Sequence, residues 1–193
     1  MKISGVDNTV FRSSMPITKA DIEQLHNLGI NTIFSLEDMP EEARKAAQEK
    51  GLHIIPIPVP DESIPKPRQV AYFLNLVESE KKKGCKCVVH CQAGRERTGV
   101  MVALYLVREK GMHPLIAYNH VRTVEPGLQK NFILEFGEFI LRHGKNAAEA
   151  YLNMPPRARA ELMHKLYPNV FGKPGAPKVM PRPKKKTIRR PGK

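Results

Sequence analysis

Cys91 and Arg97 stand six positions apart in the stretch His90-Cys91-Gln92-Ala93-Gly94-Arg95-Glu96-Arg97-Thr98-Gly99. A thiol and a guanidinium at that spacing suit chemistry on a phosphate dianion. The guanidinium offers a planar fork that matches two phosphoryl oxygens. A cysteine thiol with an ordinary pKa of about 8.5 is mostly protonated at neutral pH, whereas helix N-termini and nearby cations lower that value to about 3.5–7.5. In such a field Cys91 is expected to be a thiolate, and the thiolate is the nucleophile. Thr98 can donate its hydroxyl to the same sulfur when it later becomes a leaving group. His90 stands next to the cysteine, where a hydrogen bond from its ring fixes the loop.

The elements that must hold these groups are legible on either side. Residues 86–90 read as a short buried strand, and residues 99–107 as a helix that is apolar on nearly every face. A loop between them aims its backbone N–H groups and the positive end of the helix dipole into one concavity. Gln92, Ala93, Gly94, Arg95 and Glu96 are enough to wrap three phosphoryl oxygens. Gly94 permits a backbone angle or a close approach that a side chain forbids.

A phosphate monoester has a poor leaving group, so a proton donor is required on the far side of phosphorus. That donor must come from another segment. The run Ile57-Pro58-Val59-Pro60-Asp61-Glu62-Ser63-Ile64-Pro65 follows a strand over 52–57 and is too rich in proline for a helix or central strand. It supplies two neighbouring acids, Asp61 and Glu62.

The pattern His-Cys-x-x-Gly-x-x-Arg-Thr-Gly, met here by His90, Cys91, Gly94, Arg97, Thr98 and Gly99, resembles the signature loop of the cysteine-dependent protein-tyrosine phosphatases. It is most similar to their small dual-specificity branch. The resemblance implies that an aspartate on a loop about thirty residues upstream protonates the leaving oxygen and then activates water. Asp61 stands thirty residues before Cys91 and follows a proline. The resemblance therefore prefers Asp61 to Glu62. It also implies a turn ending in a glutamine that places the water. Arg122-Thr123-Val124-Glu125-Pro126-Gly127-Leu128-Gln129 is similar to that turn, with Gln129 as the glutamine, although Glu125 stands where an arginine is usual. No metal or cofactor is implied.

Arg95 and Glu96 are the variable positions that bear on substrate. Arg95 invites anionic ligands, and Glu96 opposes the most highly phosphorylated ones. Protein phosphotyrosine, with phosphoserine or phosphothreonine, is the first expectation. A phosphoinositide, an RNA 5′-phosphate, or a non-catalytic phosphate-binding module are the alternatives.

The 193 residues are ample for one α/β domain with a buried core. No apolar run approaches the eighteen or so residues of a membrane span, and the first residues lack the apolar core of a secretory signal. A soluble, cytoplasmic protein is expected. Cys85, Cys87 and Cys91 are the three cysteines. Packing accounts for Cys85 and Cys87, and a disulfide trap of an oxidised Cys91 by Cys87 is the weaker alternative.

Strands alternating with helices predict a central, mainly parallel sheet flanked by helices, with the loop at a strand's carboxyl end. Val10-Phe11-Arg12 reads as an edge strand. Thr18 and Asp21 form a capping box ahead of Ile22, Leu25 and Leu28, and Gly29 closes that helix. Further expected elements are a strand over 31–36, a charged helix over 40–50, an amphipathic helix over 66–83, and helices from Pro114 and over 130–142. The organisation expected is a phosphatase domain over 1–145, a helical extension over 146–171 packed upon it, and a disordered basic tail over 172–193. The tail holds nine Lys or Arg, five Pro and no acid; without it the net charge falls from +13 to +4. Such a tail is suited to nucleic acid, anionic lipid or an acidic protein surface.

Overall fold

The computed structural model describes residues 1–121 and 128–166. The chain runs β1 (Ile3–Gly5), β2 (Val10–Ser14), α1 (Lys19–Asn27), β3 (Ile30–Ser35), α2 (Glu41–Glu49), β4 (His53–Pro56), α3 (Pro67–Lys82), β5 (Lys86–Cys91) and α4 (Glu96–Lys110). It continues through α5 (Pro114–Val121), α6 (Leu128–His143), a 3₁₀ turn, α7 (Ala147–Leu152) and α8 (Pro156–Leu166). The five strands form one sheet in the order β1-β2-β5-β3-β4. All neighbours are parallel except β1, which pairs antiparallel with β2. The mainly parallel sheet flanked by helices is thus the fold expected.

Period-two alternation divides β5 between two cores. Cys87, Val89 and Cys91 face one side with α3, α4, α5 and α6. Val88 faces the other, with Ile22 and Leu25 of α1 and the alanines Ala43, Ala46 and Ala47 of α2. Those alanines let a highly charged helix lie close on the sheet. On the opposite side Val70, Phe73, Leu74 and Val77 of α3 are all buried, each contributing about 1.5–3 kcal/mol. Phe73 meets Phe34 of β3 edge to face at 5.3 Å. The capping box at Thr18 is present, and Gly29, at φ +73°, closes α1 in the left-handed conformation.

Three expectations are corrected. β2 is not an edge strand, because β1 shields its free side and β5 pairs with the other. β1 is only three residues long, too short for its alternation to be read. It is joined to β2 through a turn in which Asp7 Oδ1 accepts from the Thr9 and Val10 N–H groups. Helix α4 begins at Glu96 rather than at Gly99, so Arg97 and Thr98 belong to its first turn. Finally, Cys85 lies outside β5, and Cys87 and Cys91 lie four residues apart along that strand. At a rise of about 3.3 Å per residue their separation is far beyond the Cα distance a disulfide spans. Both are free thiols, and Cys87 cannot trap Cys91 without the sheet unfolding.

Helix α7 lies in a segment read only as part of an extension. Its Tyr151 packs edge on against Phe136 of α6 at 5.9 Å, with the Arg159 guanidinium over the Tyr151 ring. Leu166 of α8 is buried in the same core as α6, and Leu162 and Met163 pack against it. The tail read over 172–193 and the turn residues 122–127 lie outside the described residues.

Candidate active site

β5 ends at Cys91 and α4 starts at Glu96, so the intervening loop is at the carboxyl end of an interior parallel strand. The loop's tightest point is Gly94. Its φ is +67°, and a Cβ there would stand 2.3 Å from the Ser13 carbonyl oxygen. Both the backbone angle and the contact with β2 demand glycine. Gln92, Ala93 and Arg95 are exposed around the mouth, Glu96 is half-buried, and Cys91, Gly94, Arg97, Thr98 and Gly99 are buried.

The loop is tied down from behind by β2. Met15 N–H donates to the Gln92 carbonyl at 3.1 Å. Arg12 Nη2 donates to the carbonyls of Gly94 at 2.5 Å and Arg95 at 3.3 Å, while its Nη1 donates to the Val121 carbonyl at 3.2 Å. Burial lowers the Arg12 pKa from its ordinary value, and its proximity to Cys91 opposes that shift.

His90 is fully buried, and its Nε2 pairs with Ser35 Oγ of β3 at 2.8 Å. Burial pushes its pKa down to about 4, so the ring is neutral at pH 7. Its side chain therefore ties β5 to β3 beneath the loop. The Leu36 N–H donates to the His90 carbonyl, which brings the end of β3 to the same place.

That strand end delivers Glu37. Arg97, with a side chain only 5% exposed, donates from Nη2 to Glu37 Oε2 at 2.7 Å and stands 2.9 Å from Asp61 Oδ1. Its Nη1 donates to the Val59 carbonyl at 2.9 Å. A buried guanidinium needs such partners to offset its lost hydration. Asp61, by contrast, has a side chain 79% exposed. It sits in a turn closed by the Ser63 N–H and hydroxyl on the Pro60 carbonyl. Glu62 occupies that turn with φ +54°. The segment is stitched to the sheet by Ile57 N–H on the Ser35 carbonyl and Val59 N–H on the Leu36 carbonyl.

Thr98 Oγ1 and Gln129 Oε1 are among the buried side-chain atoms that have no hydrogen-bond partner among the described residues. Thr98 follows Arg97 in the first turn of α4. Gln129 is in the first turn of α6 and 7% exposed. Cys87 is a different kind of thiol, its pKa pushed up to about 12 by burial.

A family model described as "Swiss Army Knife protein, DSP-PTPase phosphatase domain" matches residues 6–131. The chain belongs to this family of cysteine-based phosphatases. Among similar curated proteins, phosphatidylglycerophosphate phosphatase PTPMT2 of Arabidopsis thaliana is 24% identical over 63% of the chain and 54% of its own length. Protein tyrosine phosphatase type IVA 2 of Mus musculus is 32% identical over 54% of the chain and 63% of its own length. The chain spans about half the length of PTPMT2 and 33% of PTPMT1 of the same plant. Among solved structures, a crystal structure of a protein named PTPMT1 aligns with a TM-score of 0.62 at 22% identity, covering 74% of the chain and 98% of that structure. The core of the PP-IP phosphatase SIW14 from S. cerevisiae aligns with a TM-score of 0.58 at 20% identity, over 68% of the chain and 82% of that structure. At these identities the structural likeness establishes the phosphatase fold.

Within this phosphatase domain the sequence singled out Cys91, Arg97, Asp61 and Thr98, and the fold gathers Arg97 and Asp61 directly. Reading along the chain missed Glu37, Ser35 and Arg12. Glu37 had no motif around it. Arg12 was assigned to an edge strand, where a basic residue is ordinary.

Proposed function

We propose that the chain is a metal-independent phosphatase that cleaves phosphate monoesters through a cysteinyl-phosphate. The observation that carries this reading is the 2.9 Å approach of Asp61 to Arg97. It brings an acid from an exposed turn to the arginine of the cysteine loop. An incoming dianion takes the Arg97 fork and the loop N–H groups of Gln92 to Glu96, leaving the Asp61 carboxyl beside the ester oxygen. The Cys91 sulfur attacks phosphorus, the P–O ester bond breaks, and Asp61 gives its proton to the departing oxygen. Asp61 then takes a proton from water as that water attacks phosphorus, the S–P bond breaks, and phosphate leaves. The Thr98 hydroxyl donates to the departing sulfur, and the Gln129 side chain places the water. Glu37 holds the Arg97 fork in line throughout.

Purified protein is expected to hydrolyse p-nitrophenyl phosphate in EDTA, and Cys91→Ser to abolish the activity. Turnover persisting in that variant sinks the mechanism. Protein phosphotyrosine, with phosphoserine or phosphothreonine, is the substrate class proposed first, supported by the relatives named as tyrosine phosphatases. A phospholipid phosphate is the second reading, favoured by the relatives named as phosphatidylglycerophosphate phosphatases and by the exposed Arg95 at the mouth. Relative kcat/KM on phosphopeptides, anionic phospholipids and 5′-triphosphorylated RNA decides between them. A thiolate enzyme works in a reducing compartment, and the cytoplasm is proposed on that ground.

A further inference from the structure

A phosphate cradle made of backbone works only if its N–H groups point inward. In a planar trans peptide the carbonyl of one residue and the N–H of the next point in opposite directions. A group that holds a carbonyl from outside the loop therefore aims the following N–H into it. In this structure the Gln92 carbonyl is held from outside by the Met15 N–H, just past β2, and the Gly94 and Arg95 carbonyls by the Arg12 side chain of β2. The N–H groups set by those contacts belong to Ala93, Arg95 and Glu96.

One side chain makes two of the three contacts. Arg12 pairs with Val89 in the β2–β5 register, two residues below the Ser14–Cys91 pair. Side chains at alternate positions share a face, so the Arg12 side chain leaves β2 on the face that carries Val10, Val89 and Cys91. From there Nη2 reaches the Gly94 and Arg95 carbonyls while Nη1 is anchored on Val121 at the end of α5. Gly99 N–H also donates to the Arg95 carbonyl at 2.6 Å, so α4 and Arg12 grip that peptide together. The Gly94 carbonyl is the one that Arg12 holds at the shorter distance.

We propose that Arg12 is a positioning residue of the cradle. Its guanidinium, donating to the Gly94 and Arg95 carbonyls, aims the Arg95 and Glu96 N–H groups at the phosphoryl oxygens and places a fixed positive charge behind the loop. The proposal rests on the phosphatase reading of the same site for its anion. Lysine keeps the charge but not the planar fork, so the two contributions can be separated.

The test is tungstate binding by calorimetry together with kcat and KM on p-nitrophenyl phosphate. Arg12→Met is expected to weaken tungstate binding and lower kcat/KM by about 100-fold, the cost of losing one preorganised oxyanion donor. Arg12→Lys is expected to recover about tenfold of that, the share owed to charge alone. Arg108→Met is the control, because Arg108 is a buried arginine whose Nη2 likewise donates to a backbone carbonyl, that of Leu74, away from the loop. It should lower the melting temperature while leaving tungstate affinity unchanged. The proposal is overturned if Arg12→Met binds tungstate and turns over within about twofold of wild type, a change that surface substitutions also produce. It is likewise overturned if Arg108→Met loses as much affinity, or if the wild-type chain binds no tungstate. Should the methionine variant not fold, wild-type affinity in Arg12→Lys overturns it and a tenfold loss supports it. A wild-type protein that binds tungstate through Arg12 yet cleaves no phosphate ester overturns the phosphatase reading and leaves the positioning role standing.

Discussion

The cysteine loop and the acid turn meet at Arg97, yet they are built in opposite ways. Cys91 and Arg97 are almost fully buried, and the loop between them is gripped by β2 and capped by the start of α4. Asp61 stands on an exposed turn, held to the sheet through the backbone of Ile57 and Val59. A cradle that must aim several N–H groups at once has to be part of the core, where packing and hydrogen bonds leave it one shape. A proton donor needs one carboxyl within reach, and a turn at the surface lets it give way to an entering substrate. The comparison also divides the consequences of mutation. Damage to the loop is expected to remove stability and chemistry together, and damage to the turn chemistry alone.

The largest break expected is Gly94→Ala. A Cβ 2.3 Å from the Ser13 carbonyl at φ +67° forces the loop off β2. Strain of this kind costs about 1–3 kcal/mol, and the misaimed donors lower kcat by about 100- to 1,000-fold. Denaturant unfolding and steady-state kinetics on one preparation check both. Asp61→Asn sharpens the other half of the contrast. It is expected to slow cleavage of alkyl phosphates by about 100-fold or more, with little effect on nitrophenyl esters. Its melting temperature should stay at the wild-type value; a clear drop would show that the turn is structural.

Titration gives a third probe. His90 has a folded pKa lowered to about 4 by burial, so below the unfolded value of about 6.5 the unfolded chain binds a proton that the folded one refuses. Stability therefore falls as pH drops from about 6.5 toward 4, by an amount on the order of 3 kcal/mol. Above that window His90 contributes no slope. Urea midpoints between pH 7 and 4 should show this fall in the wild type and a flatter profile in His90→Asn. The smallest effect expected is on Cys87→Ala. The buried thiol lies on the strand of Cys91 but too far along it to react, so activity is expected within about twofold of wild type, with about 1 kcal/mol of stability lost. A Cys87–Cys91 disulfide in peptide maps after peroxide would contradict the geometry.

Much of this site is readable along the chain because its parts are local. Cys91, Gly94, Arg97 and Thr98 lie within one loop and one helical turn, where residue type and spacing carry the constraint. The acid pair Asp61 and Glu62 is readable because prolines mark its segment as a turn and the chemistry requires a distant acid; the preference for Asp61 comes from the family resemblance. Glu37 and Arg12 are not readable in this way. Glu37 reaches Arg97 from the bend after β3 and Arg12 reaches the loop from β2, 60 and 82 residues from the groups they touch, and nothing near either residue in sequence marks the contact. The edge assignment of β2 failed for a related reason. Pairing depends on which strands are neighbours, and a three-residue β1 shows no periodicity.

The sequence by itself supplied the parts of the proposed reaction: a candidate nucleophile, a candidate anion fork, a glycine at the tight point and a pair of acids on a turn. It also determined the alternation of strands and helices that forms a parallel sheet. Only the tertiary structure decided that Arg97 is shared by Glu37 and Asp61, and that the cradle is moulded from outside by Arg12 and the end of β2. The physical reason is the range of the forces. Backbone conformation and periodicity are set over a few residues, whereas the direction of a loop's N–H groups is set by whatever strand the sheet places behind it.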